Sequence, residues 1–197
     1  MSTPQPNSCC SCLTNAPDGG RRTVIRVAAA GLAAPLVWGT AQANATLPSA
    51  GDQLVEEDAE GAPKPLRVSD LKPGKPMLVF PFDPKRKQAR NESRLSKVVL
   101  IKLAEADMDP ATRERSAGGV IAYSAVCTHQ ACDVKTWLAK EKALVCFCHA
   151  SKFKPLEGAV VAGGPAPRAL PSLPLTLDGE LLVVAGAFSG APGGAVS

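Results

Sequence analysis

Histidine is scarce in this sequence: 197 residues contain two, His129 and His149. Chemistry that needs a third imidazole is excluded by inventory. Aromatic residues are 4% of the chain, with one Tyr and two Trp. The core must therefore rest on Val, Leu, Ala and Ile. No long apolar run exists. The best candidate, Val27–Trp38, is shorter than the ~20 residues a membrane span needs and contains Gly31 and Pro35. Charge of one sign is also weak. The net charge is +4, and the first 43 residues hold Arg21, Arg22, Arg26 and Asp18, so the rest carries +2. That is too little and too scattered for a nucleic-acid partner.

Proline and glycine are plentiful, at 18 and 17. They favour short strands joined by turns over long helices. The length suits one domain plus a targeting segment. Arg21-Arg22 precedes the apolar stretch, and Ala41-Gln42-Ala43 fits an A-x-A cleavage pattern. Residues 1–43 thus resemble a twin-arginine export signal, although Gly20 and Val24 stand where Ser or Thr and Phe are usual. The expected location is the periplasm, or the membrane surface if the signal is retained as an anchor. Cys9, Cys10 and Cys12 precede the arginines and are read as part of a discarded leader.

Residues 44–66 read as a linker, 67–190 as the folded domain and 191–197 as a flexible tail. Strands are expected over 76–82, 97–103, 120–126, 143–145, 159–161, 173–177 and 181–187. Asp178-Gly179 marks a hairpin turn between the last two. Residues 83–96, rich in Lys and Arg, read as a solvated hairpin loop. Asp109-Pro110 starts a short helix over 110–117, which Gly118-Gly119 would end. The pattern is all-β with antiparallel strands.

Both histidines lie inside a cysteine cluster. Cys127-Thr128-His129-Gln130-Ala131-Cys132 is followed by Cys146-Phe147-Cys148-His149-Ala150-Ser151. Each box offers a thiolate and an imidazole. Zinc fits a Cys₂His₂ set by stoichiometry. Zinc fingers, however, pair like with like along the chain, and here each box mixes the two types. Mixed boxes suit two adjacent irons, one taking both sulfurs and the other both nitrogens.

The boxes resemble the Rieske pattern C-T-H-x-G-C and C-x-C-H-x-S, and the likeness covers roughly residues 70–190. The resemblance implies a fold of short antiparallel strands with a small cluster-binding subdomain of two loops. It implies one [2Fe–2S] cluster, with Cys127 and Cys146 on the inner iron and His129 and His149 on the outer. It implies a disulfide between Cys132 and Cys148, and a Ser151 hydroxyl that hydrogen-bonds cluster sulfur. Gly164-Pro165-Ala166-Pro167 resembles the proline-rich loop that covers the cluster in bc-complex members. Ala131 and Ala150 replace usual glycines, and Phe147 a common proline. Phe153 replaces a tyrosine that donates to a ligand sulfur. Losing such a donor lowers the reduction potential, because these bonds stabilise added negative charge.

The function implied is one-electron transfer, as a periplasmic carrier or a small subunit of an oxidoreductase rather than a stand-alone enzyme. The partner would be a c-type cytochrome or a periplasmic oxidoreductase. The alternative is the quinol-oxidising Rieske subunit of a cytochrome bc complex, partnered by cytochrome b and quinol. A Rieske oxygenase fails because its mononuclear iron needs two further histidines.

Overall fold

The computed structural model describes residues 46–58 and 62–194. The twin-arginine-like leader and its three cysteines lie outside the described residues. Twelve strands are described: β1 (Gln53–Glu56), β2 (Met77–Asp83), β3 (Gln88–Ala89), β4 (Val98–Lys102), β5 (Val120–Ser124), β6 (Thr136–Leu138), β7 (Ala143–Cys146), β8 (Ser151–Lys154), β9 (Val160–Gly163), β10 (Ser172–Leu173), β11 (Leu175–Asp178) and β12 (Leu181–Val184). One short helix, α1 (Pro110–Glu114), lies between β4 and β5. All strand pairings are antiparallel. The larger sheet runs β10-β5-β4-β2-β1-β12-β11, with β3 paired to β2. The smaller sheet runs β6-β7-β8-β9. The fold is mostly β, as the turn-rich composition demands.

The continuous apolar runs of β4 and β5 follow from burial on both faces. Successive strand side chains point to opposite faces. Val98, Leu100, Val120 and Ala122 enter one buried cluster with Leu54, Val79 and Leu182. Val99, Ile101, Ile121 and Tyr123 enter a second with Leu144 and Phe153. That second cluster also contains Cys127 and Cys146, so the thiols rest on the core shared by the two sheets. The Tyr123 hydroxyl donates to the Pro155 carbonyl at 2.7 Å, which satisfies a fully buried polar group.

Four sequence expectations differ from the structure. Residues 53–56, read as linker, form a strand flanked by β2 and β12. Leu54 is fully buried there. Only two apolar residues mark this strand, and non-local pairing decides it. The 83–96 loop is not simply solvated. Arg90 donates to the buried Asp52 carboxylate from Nε at 2.7 Å and from Nη2 at 3.1 Å. The helix ends at Glu114 rather than 117. Gly118 and Gly119 instead turn the chain into β5. A Cβ on Gly119 would lie 2.9 Å from the Leu103 carbonyl. Finally, residues 191–194 pack against the domain, as described below. The Asp109 cap is as expected: its carboxylate accepts the Thr112 N–H at 2.6 Å.

Candidate metal centre

Two loops meet above the second core cluster. The first leaves β5 and is closed twice by backbone. The Cys127 N–H donates to the Cys132 carbonyl at 2.8 Å, and the Ala131 N–H donates to the Cys127 carbonyl at 3.0 Å. The second is the β7–β8 hairpin, in which Cys146 pairs with Ser151 across four loop residues. Each loop carries one alanine in the left-handed region, Ala131 at φ 57° and Ala150 at φ 58°. This backbone favours glycine, because a Cβ crowds the following carbonyl. The two methyls are thus strained features of this chain. Ala131→Gly and Ala150→Gly should each stabilise the protein by about 1 kcal/mol. Urea unfolding midpoints check this, and an unchanged or lower midpoint contradicts it.

The loops bring their functional side chains together. Cys127 and Cys146 are free and buried. Burial pushes the Cys146 thiol up, and the neighbouring Cys127 adds to this. Backbone N–H groups of Cys148 and His149 work the other way. Those N–H groups therefore favour a thiolate at Cys146. His129 and His149 meet edge to face, with ring centroids 4.6 Å apart and planes at 88°. His149 is exposed and His129 half-buried. A disulfide joins Cys132 to Cys148 and so ties the two loops. The sulfurs of Cys132, Cys146 and Cys148 lie within 4.8 Å of one another. Two of these three are oxidised together and have no thiolate to offer a metal.

Two buried polar atoms here have no hydrogen-bond partner, His129 Nδ1 and Ser151 Oγ. Leaving such atoms unsatisfied costs about 1–3 kcal/mol each. Two buried thiols and two unpaired polar atoms in facing loops fit a bound inorganic group with iron and acceptor sulfur. Gly164 brings the next loop onto this site. A Cβ there would stand 2.6 Å from the Ala150 carbonyl oxygen, so only glycine allows the approach.

The chain matches the Rieske [2Fe-2S] domain over residues 66–174. It belongs to the Rieske family. The Rieske domain binds one [2Fe–2S] cluster. A Haloferax mediterranei protein named for a respiratory nitrate reductase Rieske subunit is 37% identical over 173 residues. The match covers 85% of this chain and 74% of that one. The cytochrome bc1 complex Rieske iron-sulfur subunit of Streptomyces lividans is 32% identical over 138 residues, covering 68% of this chain and 79% of its own length. The corresponding subunit of Corynebacterium glutamicum is 38% identical over 97 residues, which are 24% of its length. Among solved structures, the soluble domain of Rieske protein II from Sulfolobus acidocaldarius aligns with TM-score 0.40 and 23% identity. It covers 51% of this chain and 66% of that one.

Sequence reasoning missed a charged brace on the first Rieske loop. Arg94 Nη2 donates to the Ala131 carbonyl and to Asp133, both at 2.9 Å. Lys97, nearly buried, reaches Asp133 at 2.9 Å and Glu57 at 2.6 Å. Burial alone would raise the Asp133 carboxyl. Lys97 and Arg94 outweigh it and hold the carboxyl below its ordinary 3.8. A depressed carboxylate adds stability that is fully present above pH 3.8 and is lost as pH falls through the lower folded value. Asp133→Asn should therefore cost more stability at pH 6 than at pH 2.5. Denaturant midpoints at both pH values test this, and an equal loss at both contradicts it.

Proposed function

We propose that this protein is an exported one-electron carrier, or the small Rieske subunit of an oxidoreductase, acting outside the cytoplasm. Its cluster is held by Cys127, His129, Cys146 and His149. Cys127 and Cys146 give their sulfurs to the inner iron. His129 and His149 give ring nitrogens to the outer iron. The observation that carries this reading is the unpaired, buried Nδ1 of His129 beside an edge-to-face histidine and two buried thiols. Nδ1 of His129, buried and unpaired, would be the nitrogen that holds iron, which would leave Nε2 to hold or release a proton. Ser151, whose buried hydroxyl has no partner in the protein, would donate to cluster sulfur, and Cys132–Cys148 ties the two loops.

When bound, the cluster takes up and returns one electron, and its two neutral imidazoles make reduction easier than four thiolates would. The exposed His149 gives a partner the short route to the iron. Residues 1–43 act as the twin-arginine-type address of the Rieske domain that follows. Among the described residues, no helix is long and apolar enough to cross a membrane. The partner is a c-type cytochrome or an extracytoplasmic oxidoreductase. The nitrate reductase name of the Haloferax relative supports the second.

Redox titration tests the reading. Phe153 is fully buried and faces the same side of β8 as Ser151, two residues away. It brings no hydroxyl to the ligand sulfurs. The potential should fall inside the Rieske range of about −150 to +300 mV but clear of its top. Phe153→Tyr should raise it; a wild-type value near the upper limit would show that Phe153 does not matter, and a value outside the range contradicts the assignment. Fractionation separates the alternative. Tight membrane association with an intact N-terminus and a cytochrome b partner would instead make this the quinol-oxidising Rieske subunit of a cytochrome bc complex, a reading that the bc1 complex named in its relatives supports.

A further inference from the structure

We propose that residues 190–194 form a further wall of the cluster site, and that Arg168 is the positioning residue that holds this wall against the first loop. The proposal rests on the ligand assignment above. The family match ends at residue 174, so it says nothing about this segment.

Arg168 follows the Gly164–Pro167 turn and joins three pieces of chain. Its Nη2 donates to the Ala191 carbonyl at 2.8 Å and to the Gly193 carbonyl at 2.6 Å. Its own carbonyl accepts the Thr128 hydroxyl at 2.7 Å. Thr128 is fully buried and lies between Cys127 and His129. The contact is close. A Cβ on Gly194 would stand 2.8 Å from the His129 carbonyl oxygen. Gly193, at φ +86°, would bring a Cβ within 3.1 Å of Leu95 and 3.7 Å of Val126. Bare backbone therefore lies flat on the backbone of His129, where no side chain fits. A charged donor fixes its two carbonyls in place of water, at a bond strength above that of neutral pairs.

The wall keeps water off the main-chain side of His129. Reduction adds negative charge to the site, and water stabilises that charge. Lifting the wall should therefore raise the reduction potential and open the His129 amide to solvent.

The test uses the full-length holoprotein with two variants. Gly194→Val pushes the wall away and leaves every charge in place. Its potential should rise, and amide hydrogen exchange over Thr128–Gln130 should accelerate on the order of tenfold. Arg168→Gln releases the clamp and should accelerate the same amides. The double variant should exchange no faster than the faster single one, because both break one contact. Wild-type potential and exchange in Gly194→Val would overturn the proposal, as would exchange that adds up in the double variant. If Gly194→Val does not fold, slow exchange in Arg168→Gln overturns it instead. Failure of the ligand assignment looks different: the unaltered protein would then lack the rhombic resonance signal of a reduced Rieske cluster.

Discussion

Replacing His149 with alanine should abolish the rhombic resonance signal of the reduced protein and leave the polypeptide folded. His149 is exposed at the tip of the β7–β8 loop and contributes to neither buried cluster. Its loss removes no core packing, so the far-ultraviolet spectrum should persist. What it removes is one of two imidazoles, and the sequence holds no third to replace it. His129, 4.6 Å away, would be left to hold the outer iron alone. Iron content should fall with the signal. A His149→Ala protein that kept both the iron and the rhombic signal would remove His149 from the ligand set.

Breaking the Cys132–Cys148 bridge should destabilise the protein and loosen the cluster together. The two cysteines are 16 residues apart, a closure worth about 3 kcal/mol by chain-entropy arguments. The bridge also supplies the covalent tie between loops that otherwise meet through side chains. Without it, the tip carrying His129 separates more easily from the tip carrying His149. Cys132→Ala with Cys148→Ala should lower the unfolding free energy by about 2–4 kcal/mol. Iron release to a chelator should quicken in parallel. Unchanged iron release would show that other contacts keep the loops in register.

The cluster boxes were legible because their signal is local: both histidines fall within a few residues of two cysteines in a chain poor in histidine. The strands β4 and β5 were legible because burial on both faces leaves an unbroken apolar run. β1, β6 and β8 were not. Gln53–Glu56 holds two polar residues in four and Ser151–Lys154 three, and Thr136–Leu138 has only three residues. Such short strands exist through their partners, and propensity does not mark them. Arg94 and Arg168 escaped for a related reason. Each acts on backbone carbonyls, 37 residues away for Arg94 and 23 and 25 for Arg168. A carbonyl leaves no mark in the sequence. The segment at 190–194 is Gly- and Ala-rich, and that composition reads as flexible. Here its small size is what lets it lie against His129.

Two sulfurs and two imidazole nitrogens of this chain would hold the [2Fe–2S] cluster. Iron, zinc and acid-labile sulfide analysis of the purified native protein tests this most directly. The account predicts equal iron and sulfide, one [2Fe–2S] unit per chain and no stoichiometric zinc. Zinc in place of iron, or iron without labile sulfide, would contradict it.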